Sequence, residues 1–176
     1  YIDGVKKSTV VRDQADAIVN GEEPEVLTRA KCYIGRYGTT NTFNPNGEIS
    51  MLKIYSGAMT QAEVTAAFNS AFDEVHSKLH FYWNFAGPAG FATLVPDSIA
   101  GVVARLHDYN GPPHYTRTAT GWYFDGGNDY AELPFGTRVL GGAITIEAVV
   151  KWNAFNTMTR IFECGNGANQ NNIFLG

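Results

Sequence analysis

The stretch from Ile144 to Trp152 limits the fold more than any other part of the chain. Ile144, Ile146, Ala148, Val150 and Trp152 alternate there with Thr145, Glu147, Val149 and Lys151. Successive side chains of an extended strand point to opposite faces, so a period of two predicts a strand with one apolar face. Such a face must be covered by a second layer. Glu48 to Tyr55 reads as a strand of a different kind. Ile49, Met51, Lys53 and Tyr55 fall on one face and Ser50, Leu52 and Ile54 on the other, both largely apolar, as expected of a strand buried between two layers.

Shorter extended segments fill much of the rest. Tyr1 to Val5 predicts a strand end running into an Asp3-Gly4 turn, with its partner near Lys7 to Val11. Asp13 to Pro24 reads as a loop, Cys32 to Arg36 as a strand, and Gly38 to Gly47 as a second loop. Leu79 to Phe85 is an aromatic strand, Trp122 to Leu133 a strand, glycine turn and strand, and Met158 to Cys164 and Asn172 to Leu175 two more strands. One helix start interrupts them. Thr60-Gln61-Ala62-Glu63 has the capping-box pattern, and Val64, Ala67, Phe68 and Ala71 share one stripe, so a short α-helix is expected near 60–74, ending around Phe72 to Val75.

Composition agrees with an all-β chain and removes several partners. Only 17% of the 176 residues are charged, 13% are aromatic and 19 are glycine, a profile of strands and turns rather than of helices. The net charge is −4 and no basic run exceeds Lys6-Lys7, so no nucleic-acid partner is expected. No apolar stretch approaches the ~18 residues of a membrane span, and Tyr1-Ile2-Asp3-Gly4 lacks the charged start and apolar core of a signal sequence. A soluble chain without membrane insertion is expected, one whose first residue is not a true start. The two cysteines, Cys32 and Cys164, are too few for a disulfide scaffold and leave the compartment open.

The strand motifs, taken together, resemble laminin-G-like (concanavalin A-like lectin/glucanase) domains. Trp122 to Leu133, Ile144 to Lys151 and Arg160-Ile161-Phe162 are similar to the first half of such a domain. Tyr1 to Gly4, Tyr33 to Arg36, Asn46 to Tyr55, Ala58-Met59 and Thr60 to Val64 are similar to its second half. The resemblance implies an antiparallel β-sandwich of the jelly-roll, concanavalin A-like type. The halves stand in reverse order: residues 1–72 resemble the C-terminal half, 73–78 form a join, and 79–176 resemble the N-terminal half. Two organisations follow, a window over tandem repeats or one permuted domain spanning 1–176. Missing strands would also leave sheet edges open to completion by neighbouring copies or modules.

Chemistry is sparse. Glucanases of this fold carry a Glu-x-Asp-x-x-Glu run or a close variant, and retaining hydrolysis needs two carboxyl groups ~5–5.5 Å apart. Glu147 stands alone among Ile146, Ala148 and Val149, and Glu163 beside Cys164 has no second carboxylate two residues away. No enzymatic activity is expected. His76 and His80 have an i, i+4 spacing but lie at the helix-to-strand join, outside any zinc motif, and His107 and His114 add none. Cys164 in a strand reads as a packed small hydrophobe rather than a nucleophile, and a Cys32–Cys164 disulfide requires the two halves to meet.

The resemblance implies Ca²⁺ at the sandwich rim, with Asp97, Asp125 and Asp129 as ligands; the competing reading is turn capping by the same side chains. Tyr37 and Tyr115, in loops, are the candidate ligand-binding aromatics, since an exposed ring offers apolar area to a sugar. Trp83 and Trp152 are expected in the core. No Asn-x-Ser/Thr sequon occurs. The functional expectation is a non-enzymatic structural or adhesive module of a repeat-containing or fibre-forming protein, extracellular or on a cell or virion surface. The alternative is a lectin module that binds glycans with or without calcium.

Overall fold

The computed structural model describes residues 11–12, 18–19, 26–36, 44–69, 78–88, 94–107, 116–134, 139–154, 159–166 and 172–175. Described strands are β1 (Val11–Arg12), β2 (Ile18–Val19), β3 (Leu27–Thr28), β4 (Lys31–Ile34) and β5 (Asn46–Ser56). After α1 (Gln61–Asn69) come β6 (Leu79–Asn84), β7 (Leu94–Pro96), β8 (Val103–His107), β9 (Thr116–Arg117) and β10 (Trp122–Asp125). β11 (Tyr130–Glu132), β12 (Val139–Leu140), β13 (Ile144–Ala154), β14 (Phe162–Gly165) and β15 (Ile173–Leu175) complete them.

All described pairings are antiparallel. One five-stranded sheet runs β13-β5-β10-β9, with β6 beside β10 on the same flank of β5. A six-stranded sheet runs β15-β14-β4-β11-β8-β7, and β1-β2 and β3-β12 form two small ribbons. A single apolar cluster draws on both large sheets. Ile49, Leu52, Ile54, Phe81, Trp83, Trp122 and Phe124 come from the first, and Cys32, Ile34, Ala104, Leu106, Ala131, Phe162 and Ile173 from the second. The molecule is thus an all-β, sandwich-like fold with one short helix among the described residues. No described helix is long and apolar enough to cross a membrane.

Strands from either side of the 73–78 join share both sheets. β5 lies between β13 and the β10/β6 flank, and β4 lies between β14 and β11. Neither sheet is continuous without strands from both segments. Trp122 to Leu133 likewise spans the layers: β10 joins the five-stranded sheet and β11 the six-stranded one.

A bulge corrects the expected faces of β5. Met51 stands opposite Val149 and Ile49 opposite Val150, which leaves Ser50 as an extra residue on β5. An inserted residue shifts the alternation by one. Ile49 therefore joins Leu52 and Ile54 on the core face, while Met51, Lys53 and Tyr55 stay on the other. The Ser50 carbonyl, turned off the β13 ladder, accepts the Phe85 N–H (2.9 Å). Gly121 packs against this point, where a Cβ would stand 2.5 Å from the Ile49 carbonyl oxygen.

The capping box forms as expected. The Glu63 N–H donates to Thr60 Oγ1 (3.2 Å) and the Thr60 N–H to Glu63 Oε2 (2.7 Å), and Lys78 Nζ binds Glu63 Oε1 (2.9 Å). These partners, the Thr60 amide foremost, hold the exposed Glu63 carboxyl at about 2. Val64 and Ala67 are half-buried, and the expected helix end near Phe72 to Val75 lies outside the described residues. So does the Asp3-Gly4 turn. Ile18–Val19 forms a strand inside what reads as a loop, and β7, β8 and β9 add strands to segments with no sequence assignment above.

Cys32 and Cys164 are direct cross-strand partners on β4 and β14, both fully buried, and are joined by a disulfide. A bond across 132 positions ties β4 of the first segment to β14 of the second. Trp83 is in the core as expected, its indole N–H donating to the Val102 carbonyl (3.0 Å), whereas Trp152 near the end of β13 is only half-buried.

Candidate recognition face

β4, β8 and β11 of the six-stranded sheet alternate in burial, so their outward residues form a second, polar and aromatic surface. Tyr33 on β4 and Tyr130 on β11 meet edge to face, with ring centroids 5.8 Å apart. Gly35, with φ +76°, turns the chain after β4, and the next residue, Arg36, lays its guanidinium over both rings, 5.0 Å from Tyr33 and 4.3 Å from Tyr130. His107 on β8 stacks on Tyr130 at 4.9 Å and approaches Glu132 Oε2 with Nε2 at 3.2 Å. Burial, reinforced by the nearby carboxylates and against the opposing pull of Arg36, raises the Tyr33 phenol above its ordinary range.

The same face continues across β14 and β15. Arg160 Cζ lies 4.1 Å from the Phe174 ring centroid and its Nε 3.5 Å from Glu163 Oε2, while Asn172 Nδ2 donates to Glu163 Oε1 (3.3 Å). Two aromatic–arginine clusters therefore lie on this one face. Phe174 is 40% exposed, which leaves apolar area open to a partner.

The outer face of the five-stranded sheet is different. Met51, Lys53, Tyr55 and Tyr82 are all essentially buried. Tyr55 Oη donates to Glu147 Oε2 (2.7 Å), Lys53 Nζ lies 3.8 Å from the same oxygen, and the ammonium sits 5.3 Å from the Tyr82 ring centroid. Burial first, and then the Glu147 carboxylate, push the Tyr55 phenol far above its ordinary range. Glu147 serves here as a hydrogen-bond acceptor and counter-ion. Glu48 ties the neighbouring end of β5 to the Thr118 and Thr120 hydroxyls. Burial would raise its carboxyl, but these two donors and the Lys151 charge outweigh it and lower it.

The candidate calcium ligands fall in two places. Asp97, buried, follows β7; its Oδ1 accepts the Tyr82 N–H (2.5 Å) and the Ile99 N–H (3.2 Å), and its Oδ2 accepts the Ala100 N–H. It caps the β7–β8 turn and fastens that turn to β6 of the other sheet. Asp125 and Asp129 flank the β10–β11 turn, where Asp125 Oδ1 accepts the Gly127 N–H (2.7 Å) and Asp129 Oδ2 the Asp125 N–H (3.3 Å). Asn44 and Asn46 brace the same turn from outside, donating to the Gly127 and Asp125 carbonyls (2.8 and 3.0 Å). Among the described residues no three His, Cys, Asp or Glu side chains gather as a metal-binding group.

Tyr37 and Tyr115 lie outside the described residues, as do His76 and His114. Tyr33, Tyr130, Arg36 and His107 are not among the binding residues expected from sequence. A usable signal was there: Cys32/Ile34 alternate with Tyr33, and Ala104/Leu106 with Arg105/His107. No protein-family model, curated protein or solved structure matches the chain.

Proposed function

We propose that the chain is an extracellular or surface-exposed, non-enzymatic structural or adhesive module, a permuted sandwich of the concanavalin A/laminin-G-like type, whose partners are copies of itself or neighbouring modules. The observation that carries this reading is the interleaving of residues 1–72 and 79–176 in both sheets, closed by the buried Cys32–Cys164 disulfide. A disulfide persists in an oxidising compartment, which supports a location outside the cytosol. The commitment of Glu147 to Tyr55 and Lys53, and of Glu163 to Arg160 and Asn172, supports a structural use of both carboxylates. Sedimentation of the purified chain over a range of concentrations tests the reading. Self-association that is reversible and saturable supports it; a monomer at every concentration counts against it.

The lectin alternative is favoured by one observation, the half-exposed Tyr33–Tyr130–Phe174 face. A sugar ring would have to compete with Arg36 for the tyrosine rings, so binding should be weak unless Arg36 itself holds an anionic sugar. A glycan array that includes sulfated and uronic acid-containing ligands distinguishes the two. Calcium belongs in this alternative only at the Asp125–Asp129 turn, because the Asp97 carboxylate already accepts three backbone amides. A bound ion would raise the unfolding temperature in Ca²⁺ relative to chelator.

A further inference from the structure

β13 is the longest exposed edge among the described residues. Its eleven residues pair with β5 along one side, and no described strand pairs with the other. Its solvent exposure fits that position. No β13 residue is buried, whereas its partner β5 is buried almost continuously from Ile49 to Tyr55. Val149, at its middle and on the outer face, is 47% exposed. An edge of this length offers a row of backbone donors and acceptors for strand addition, which natural sheets usually block with like charges, proline or a bulge.

From Ile144 to Trp152 the β13 edge is not blocked against itself, and the bulge at Asn153 interrupts it only near its C-terminal end. Its two charges are Glu147 and Lys151, placed evenly about Val149. Antiparallel, two-fold pairing of β13 with a second copy, centred on Val149, sets Glu147 opposite Lys151 of the second copy, and symmetry repeats the pair. Ile146 then faces Trp152, Ala148 faces Val150, and Val149 faces itself, with the bulge at Asn153 outside this paired stretch. Moving the centre by one residue sets Glu147 opposite Val149 or Asn153 and loses both charge pairs. The Glu147 side chain keeps 25% exposure while bound to Tyr55, and Lys151 is exposed, so both reach a partner.

We infer that two copies of this chain pair through the edge of β13 that no described strand occupies, antiparallel and two-fold about Val149, and so continue the five-stranded sheet across the dimer. The inference rests on the self-associating reading above and specifies its surface. Val149→Cys tests the register, because the two-fold brings the new thiols face to face. Mild oxidation should give a covalent dimer. Thr145→Cys alone should stay monomeric, because the two-fold sets its two copies at opposite ends of the paired stretch.

In sedimentation from ~1 µM to ~1 mM, Lys151→Glu should weaken dimerisation at least ~10-fold by setting like charges opposite each other twice. Val149→Lys should do the same by a different route, since Lys151 also faces Glu48 within its own chain. Circular dichroism of each variant establishes that it is folded. Self-association that survives both substitutions, without Val149→Cys cross-linking, overturns the β13 interface and leaves the self-associating reading standing. A wild-type monomer throughout overturns both.

Discussion

The two large sheets share one core but treat their outer faces in opposite ways. On the five-stranded sheet the outer face is closed: Lys53, Tyr55 and Tyr82 are buried around a single carboxylate, Glu147. On the six-stranded sheet the His107–Glu132 pair stays in contact with water, its side chains 33% and 45% exposed, and among the described ionisable residues of its strands only Glu163 on β14 is buried, beside Arg160. The difference teaches what each charge contributes. A buried ammonium without its counter-ion is costly, whereas an exposed pair is screened and adds little. The first face should therefore govern stability more than the second.

Removing the counter-ion of the closed face should have the largest effect. Glu147→Ala leaves Lys53 buried and the Tyr55 hydroxyl without its acceptor, and should cost about 3 kcal/mol in urea unfolding, at the low end for a broken buried pair because Glu147 retains some solvent. Lys53→Met with Glu147→Gln should recover much of that loss. A Glu147→Ala cost below about 1 kcal/mol would erase the distinction between the faces.

Alkaline unfolding separates the faces next. A phenol whose folded pKa is raised adds stability that is complete below the unfolded value near ~10 and is lost as pH rises beyond it, because only the unfolded state releases the proton. Tyr55 and Tyr33 are both raised. Stability should fall by about 1.4 kcal/mol per pH unit for each phenol that stays protonated in the fold. Tyr55→Phe should flatten that decline above pH ~10 more than Tyr33→Phe, which an unfolding series from pH 8 to 11 measures.

On the open face, Tyr130→Ala removes a half-buried ring that contacts Tyr33, Arg36 and His107, and should cost about 1–2 kcal/mol. Glu132→Gln should change stability by no more than ~0.5 kcal/mol, and added salt should remove even that. A larger Glu132 effect would place this pair with the buried one.

Much of the fold was legible because strand periodicity is written locally. β13, β6 and the Thr60–Glu63 cap lie where alternation, aromatic content and capping chemistry place them. The faces of β5 were legible only from Met51 to Tyr55, since nothing in Glu48 to Tyr55 marks the bulge at Ser50, where Gly121 and Phe85 approach from far along the chain. The Tyr33–Tyr130 face was harder to find for a similar reason. Tyr33, Arg36, His107 and Tyr130 are scattered over nearly a hundred positions, and only the β4-β11-β8 order makes them neighbours.

That Leu79 to Asn84 and Ile144 to Trp152 form strands, and that Ile144, Ile146, Ala148 and Val150 make the apolar side of the second, followed from sequence alone, because those properties depend on neighbours one and two positions away. Strand order, the opposition of Cys32 to Cys164 and the pairing of Lys53 with Glu147 were decided by tertiary structure. Each needs two distant segments held in one register, and that register is set by the shared core rather than by any local pattern.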